Sequence, residues 1–541
     1  MLPRALSLYA RQSLASRCVS DTNSLRLLSA SSNGGSKRGR RHGTRQSNPK
    51  ASASIDVSFY EDFLRVRQTK ASDRQRRRDD HSGKRPSRVK SAPDVLEKPS
   101  QDSTPKPKKE KKRNQPSPAK VEDEAIEPLE IFSLFAPCLP GLEATLHSEL
   151  VSLGFTPSQP LIGAGGIAFT VDSVESLMKC HLHLGTATHI LLRCGEPFKA
   201  RGMEELRRKV SKMSFWKQYL GERKKSSLSL PKFDIRVTAS KSRLFHTKGI
   251  AERVESGIYS ALGIKDAKRT DDILQDNTLP TIKLVVRLKD DYAQISVDTS
   301  ENPLHQRGYR QPGCGGKSPL REDIAFAILY GSGWRRLGSP SGDKAASFTH
   351  LGDPCCGSGT LPIEAAAVAA GLPPGRLLPQ PLAGSNLADE WLWRQLVLNA
   401  EAQAVDIGNG AVMGSDRDKG VMAACKTNAA AAGVEDIVRF ENCAVKNNPW
   451  LSANANDRPS DLLICTNPPF GVRSSKKKDL FPLYRTLVDA ADESRAALTV
   501  LAHDITLVRT ATRNEASVLF STKHGGLSIA AMQYKVDKGA K

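Results

Sequence analysis

The chain has 541 residues, enough for several domains, and carries 80 Lys+Arg against 58 Asp+Glu for a formal net charge of +22. The excess is concentrated, because residues 36–120 hold 25 basic and ten acidic side chains, and the remainder is only mildly basic. Such a charge points to a polyanionic partner, nucleic acid before a membrane surface, and no apolar run reaches the ~18 residues of a spanning helix.

Residues 1–35 contain Arg4, Arg11, Arg17 and Arg26, many serines and no acid before Asp21. Leu2, Leu6 and Leu14 can share one helix face, and no continuous apolar segment follows. This pattern fits an organellar transit peptide, mitochondrial or plastid, with a nuclear or nucleolar address from the later Lys/Arg clusters as the alternative. Residues 36–127 are rich in Ser, Pro, Lys and Arg, poor in large apolar groups, and expected to be disordered. The ten cysteines show no Cys-x-x-Cys spacing, so zinc ribbons and iron–sulfur clusters are not expected, and the thiols should be free.

Order is expected from about Ile131. "IFSLFAPCLPGLEATLHSELVSLGF" predicts a strand, a turn at Pro140-Gly141, and a helix with Leu142, Leu146 and Leu150 on one face. "GGIAFTVD", "VESLMKCHLHLGTA" and "HILLRCGEPFKA" predict strand, helix and strand, completing an α+β module over residues 128–200. A second module, 201–300, follows from the helix "MEELRRKVSKM", the strand "KFDIRVTASKS", the helix "KGIAERVESGIYSAL" and the strands "TIKLVVRLKDD" and "YAQISVDTS". Lys241, Arg243, His246 and Lys248 gather where that second helix starts, a place suited to phosphate.

From residue 301 to 541 strands and helices alternate, which predicts a doubly wound α/β sheet. "SPLREDIAFAIL" reads as a helix with Ser318 as N-cap and Pro319 at its first position. "GDPCCGSGT" then closes a strand with a Gly turn that is neither a P-loop nor a dinucleotide fingerprint. Asp353 beside that turn disfavours a pyrophosphate and favours a cation or hydroxyls, and Asp416 in "GSDRD" stands at the next strand end, where an acid takes ribose hydroxyls. A ligand with a ribose, a cation and no phosphate fits these groups, and S-adenosylmethionine is such a ligand. "DLLICTNPPFG" ends a buried strand in an amide, two prolines and an aromatic plate, a setting for a flat heterocycle bearing an amino group.

The series "DTSENPLHQRGYR", "SPLREDIAFAIL", "DPCCGSGTLPIEAA", "GSDRD" and "TNPPFG" resembles the THUMP-domain RNA guanine-N2 methyltransferases. "FAPCLPGLEATLHSELVSLGF" with "GGIAFTVDSVESL" resembles the ferredoxin-like region of that family, and "ASKSRLFHTKGIAERVESGI" its THUMP core. The resemblance covers Ile131 to the C-terminus. It implies a Rossmann-like methyltransferase domain preceded by ferredoxin-like and THUMP modules. It also implies a methyl-donor site at Asp353, Cys355, Gly357, Gly359 and Asp416. The family usually places an acid after the third strand, against the adenine amine. This sequence has Asn442 there, beside Glu441, and Phe440 could line the same pocket.

The resemblance further implies catalysis by Asn467, Pro468, Pro469 and Phe470. The Asn467 side-chain oxygen and the Pro468 carbonyl would hold the guanine amine while Phe470 stacks on the base. No metal is required, the partner is RNA, ribosomal or transfer, and the chain is expected to be monomeric. A cytosine-C5 enzyme is excluded because the cysteines Cys355 and Cys356 lie in the donor turn, away from the Pro-Pro stretch. A DNA adenine-N6 enzyme and a glutamine methyltransferase share Asn-Pro-Pro but give the THUMP-like part no role. A non-catalytic RNA-binding protein would not need the donor turn.

Overall fold

The computed structural model describes residues 131–160, 163–221, 232–264, 281–316, 319–334, 348–451, 459, 461–471 and 480–535. The expectations for residues 1–127 and for Ser318 lie outside the described residues.

Residues 132–298 build one seven-stranded sheet from β1 (Phe132–Pro137), β2 (Gly166–Val171), β3 (Leu191–Arg193), β4 (Phe198–Lys199), β5 (Lys232–Ser240), β6 (Thr281–Lys289) and β7 (Tyr292–Asp298). The order is β2-β1-β3-β7-β6-β5, with β4 also beside β7. The boundary expected at residue 200 therefore divides the chain but not the sheet, because β3 pairs with β7 (Leu191 opposite Asp298). Among the described residues, five helices accompany it: α1 (Glu143–Ser152), α2 (Val174–His183), α3 (Met203–Ser211), α4 (Phe215–Leu220) and α5 (Thr247–Ala261). Alternation decides which sheet face is buried. Leu134 and Ala136 of β1 and Leu284, Val286 and Leu288 of β6 share a core with Leu146 and Leu150 of α1 and Ile250 and Val254 of α5. The intervening residues of β5 and β6 are half-buried or exposed.

Residues 350–534 form the second sheet from β8 (His350–Asp353), β9 (Val412–Asp416), β10 (Val438–Asn442), β11 (Leu462–Thr466), β12 (Ala497–Ala502), β13 (Ser517–His524) and β14 (Leu527–Tyr534). Its order is β10-β9-β8-β11-β12-β14-β13. The first five strands are parallel, and β14 runs antiparallel to β12. The fully buried pattern of β11 and β12 is that of a sheet covered on both faces. The covering helices include α6 (Glu322–Ser332), α7 (Thr360–Ala370), α9 (Met422–Ala431), α10 (Leu480–Ser494) and α11 (Ile505–Ala511), while α8 (Glu390–Ala402) packs against α2 beside the first sheet. This is the doubly wound Rossmann-like α/β architecture expected for the C-terminal part.

The sequence reading does not include α4, α8, α10, α11 or β13. α10 is nonetheless periodic, burying Tyr484, Leu487, Val488 and Ala491 on one face. The start of α6 is corrected: the helix begins at Glu322 with Arg321 in extended geometry as N-cap, so Pro319 precedes it. Its physical cause lies in neighbouring charges. The Leu320 carbonyl accepts from the Arg310 guanidinium at 3.2 Å, and the acids Glu322 and Asp323 take the first turn, where the helix dipole favours them.

Candidate active site

Strand order reverses between β8 and β11, which creates a crevice beyond their C-terminal ends. Asp353, Asp416, Asn442 and Thr466 are the last residues of β8, β9, β10 and β11, so four polar side chains collect at one sheet edge.

The Gly turn connects β8 to α7. Gly357 (φ +53°) and Gly359 (φ +86°) both sit in the left-handed region, which a glycine adopts without steric cost. At Gly359 a side chain would also press on the Phe440 ring, 3.2 Å from where its Cβ would stand. Phe440 is therefore packed beneath the turn. The turn is tied to β9: Cys356 N–H donates to the Ser415 carbonyl at 3.0 Å and Gly357 N–H to Asp416 Oδ2 at 3.1 Å. Asp416 Oδ1 accepts from Asp418 N–H at 2.9 Å. Each oxygen of Asp416 thus spends one lone pair on the protein and keeps another, the capacity needed for two ribose hydroxyls. Asn442 Nδ2 donates to the Asp416 carbonyl at 2.8 Å, and Glu441 pairs with Arg439. The strand-three position thus holds β9 in place.

Asp353 is 1% exposed. Its Oδ1 accepts from Thr466 Oγ1 at 2.6 Å and from Cys355 N–H at 3.0 Å, joining the ends of β8 and β11. Burial pushes its carboxyl up to about 7; the bonds from Thr466 and Cys355 oppose that shift and the Asp416 charge adds to it. Cys355 and Cys356 are free thiols pushed upward, Cys355 chiefly by burial and Cys356 chiefly by its hydrogen bond with Cys425. All nine cysteines among the described residues are free.

Sequence reasoning missed the groups that hold this turn from behind. The Arg310 guanidinium donates to Ser358 Oγ (3.1 Å), Thr360 Oγ1 (3.0 Å) and Glu322 Oε1 (2.6 Å). Asn428, fully buried on α9, donates to the Ser358 and Cys314 carbonyls, each at 3.1 Å, and accepts from Gln311 N–H at 3.1 Å. These two side chains strap the segment 310–314 to the turn. Arg307, three residues earlier, donates to the Gly185 carbonyl at 2.6 Å and so reaches the connection between α2 and β3. The only local signal was the arginine pair in "HQRGYR".

On the other wall, Asn467 follows β11 directly. Its side-chain oxygen is buried and accepts no hydrogen bond. Pro468 is buried, Pro469 exposed, and Phe470 half-buried against the core. A buried acceptor without a donor costs about 1–3 kcal/mol, which a ligand N–H would recover.

The four basic residues singled out near α5 lie elsewhere, at the end of the first sheet. Lys241, Arg243, His246 and Lys248 are all exposed, with Phe245 among them at 78% exposure. His246 spends its Nδ1 as the α5 cap on Gly249 N–H at 3.0 Å, which leaves it less free for phosphate than the sequence suggested. Arg243 N–H donates to Asp291 Oδ1 at 2.8 Å.

Residues 307–532 match the family model described as "RMKL-like, methyltransferase domain", and residues 133–191 the one described as "RlmL ferredoxin-like domain". The ribosomal RNA large subunit methyltransferase K/L of Syntrophotalea carbinolica is 30% identical over 363 residues, covering 66% of this chain and 47% of that protein. The protein of the same name from Marinomonas sp. strain MWYL1 is 27% identical over 368 residues, covering 66% and 46%. The chain thus spans about half the length of the curated relatives it matches. The solved structure of SMU.472, described as a methyltransferase and complexed with SAH, aligns with a TM-score of 0.61 at 23% identity, over 76% of this chain and 100% of that one. That likeness is one of fold. The resemblance carried by the sequence motifs is borne out over both matched segments.

Proposed function

We propose that this chain, with its RMKL-like methyltransferase domain and RlmL ferredoxin-like domain, is an S-adenosylmethionine-dependent RNA methyltransferase that forms N2-methylguanosine in organellar large-subunit ribosomal RNA. The observation that carries this reading is the buried, unpartnered Oδ1 of Asn467 at the strand-order switch point, beside a turn whose acids suit a ribose and a cation. The ribosomal substrate rests on the relatives' names, and the organelle on residues 1–35.

S-adenosylmethionine, when bound, supplies an electrophilic methyl on a sulfonium. Asp416 would hold its ribose hydroxyls and Gly357 and Gly359 would let the backbone approach it. Asn442 steadies Asp416 through the backbone. The guanine amine is a weak nucleophile because its lone pair is delocalised into the ring. Asn467 Oδ1 and the Pro468 carbonyl accept its two N–H groups, which turns the lone pair out of conjugation. Phe470 supplies a face for the base. Asn467 is neutral, so it orients the amine and takes no proton; the proton leaves after transfer, when the nitrogen is cationic and acidic. Residues 201–300 act as a THUMP RNA-binding module and the chain works as a monomer.

The test is single-turnover transfer of labelled methyl to organellar large-subunit ribosomal RNA, followed by nucleoside analysis. Label on guanosine N2 is the expected result. Label on adenosine N6 overturns the guanine assignment, and preferential labelling of transfer RNA overturns the ribosomal one.

A further inference from the structure

The first sheet has a second, open face that none of the chemistry above uses. Residues opposed in a ladder share a face, so its composition can be read row by row. One row runs Arg193–Ser296–Val285–Arg236 across β3, β7, β6 and β5. The next places Gln294, Arg287 and Thr238 side by side, and the row after it Lys199, Tyr292, Lys289 and Ser240. Rows on one face are about 6.8 Å apart. The arginines here are half-buried, the two lysines exposed, and Tyr292 is 50% exposed with the Lys199 ammonium 5.9 Å from its ring centre.

Few acids answer these charges. On the row before Arg193 stand Asp298, buried with its Oδ2 2.8 Å from the His189 ring, and Asp234. At the far end Asp291 is occupied by Arg201 (2.8 Å) and by the Arg243 N–H. Arg193 is lowered from the usual guanidinium range by burial, with Glu196 opposing that shift more strongly than the Arg287 charge adds to it. Arg193 donates to Gln294 Oε1 at 3.0 Å, and Gln294 stands opposite Arg287, so two guanidiniums flank one amide on the open face, an arrangement that suits a polyanion better than a second copy of the same basic surface. The last row adjoins the turn bearing Lys241 and the exposed Phe245, so the basic surface continues past the sheet end.

We infer that this open face docks RNA, with Arg193, Arg236, Arg287, Lys199 and Lys289 following the phosphates and Tyr292 stacking on an unpaired base. An aromatic between two lysines gives a base a flat apolar seat while the flanking ammonium groups hold its phosphates. The inference rests on the RNA substrate proposed above and adds which surface holds it and in what form.

The experiment is fluorescence anisotropy of a labelled single-stranded oligoribonucleotide with the full chain, without methyl donor, across a salt series. Arg287→Glu with Lys289→Glu should weaken binding at least tenfold and lower the slope of log affinity against log salt by about 1.4, since two phosphate contacts are lost. Tyr292→Ala should cost about five- to tenfold on the single strand and little on an RNA duplex, whereas Tyr292→Phe should bind like the parent. Should the double variant unfold, Arg287→Gln with Lys289→Gln gives the same comparison with smaller losses. Folded variants with unchanged affinity and salt slope overturn the docking face. Poly-aspartate competing as well as RNA overturns the partner, and equal Tyr292→Ala losses on duplex and single strand overturn the stacking. None of these measurements depends on which base is methylated, so a failed guanine assignment leaves them standing.

Discussion

On the β8–β9 side of the crevice, polar groups are already held by the protein. Asp353 binds Thr466 and Cys355, Asp416 binds Gly357 and Asp418, and Arg310 and Asn428 fix the turn from behind. On the β11 side the Asn467 oxygen is buried without a donor. The first wall is preorganised and costs little further ordering when a ligand binds. The second stores an unmade hydrogen bond, which the exocyclic amine proposed above would complete. The two walls should therefore fail differently when altered.

The largest effect is expected at Asn467. Asn467→Ala should slow single-turnover methyl transfer about 100-fold or more, the cost of one preorganised hydrogen-bonding group. Donor affinity by calorimetry should stay within about twofold. Asn467→Asp keeps an acceptor and should retain part of the rate. Equal losses in rate and donor affinity would erase the distinction between the walls.

Asp416→Ala should act in the opposite sense. Two hydroxyls would lose a charged acceptor worth roughly 1.5–3 kcal/mol, about 10- to 150-fold in donor affinity. Some of this loss passes through Gly357 and Asp418, whose N–H groups Asp416 also holds. Asp416→Asn keeps an acceptor without the charge and should fall between. Unchanged affinity in Asp416→Ala removes this residue from the donor wall.

The residues at strand ends were legible because the edge of a doubly wound sheet, a Gly turn and a proline stop are all local patterns. Asp353, Asp416 and Asn467 follow from where their strands end. Asn428 lies in the Ala-rich α9 and looks like any helix amide; its role comes from Cys314, 114 residues away. Arg310 likewise works through Ser358 and Thr360, 48 and 50 positions on. The joining of the two N-terminal modules was hidden for the same reason. It depends on β3, only three residues long, meeting β7 about 100 positions later. That Asp353 also joins two strands, through Thr466 and the Cys355 N–H, was not readable either, because its full burial depends on β11 more than 100 positions later.

That burial yields a pH prediction. Asp353 is pushed up to about 7, against an ordinary value near 4. The native state then binds more protons than the unfolded chain between pH ~4 and ~7, so this group makes the fold less stable as pH rises through that window. Glu149, also raised to about 7 by burial, adds to the same trend. Binding of a cationic donor favours ionised Asp353, so donor affinity should rise roughly tenfold from pH 6 to 8 with release of a proton. Calorimetry in two buffers of different ionisation enthalpy measures that proton. Asp353→Asn should flatten both the affinity and the stability profiles; a parent affinity independent of pH would show that the donor's charge is not felt there.

The smallest effect belongs to Asn442, and it separates two roles. As a tether, Asn442 donates its Nδ2 to the Asp416 carbonyl at 2.8 Å on an exposed surface. Such a bond contributes about 0.5–1 kcal/mol, so Asn442→Ala should weaken donor binding roughly threefold. As a direct partner of the adenine amine, the residue would instead use its oxygen, and an acid would serve at least as well. Asn442→Asp decides between them. It abolishes the donor and sets a carboxylate against the Asp416 carbonyl, so a tether predicts weaker binding than Asn442→Ala. An adenine acceptor predicts affinity equal to or above the parent. Restored or tightened binding in Asn442→Asp would move this residue from the frame of the donor wall into direct contact with the ligand.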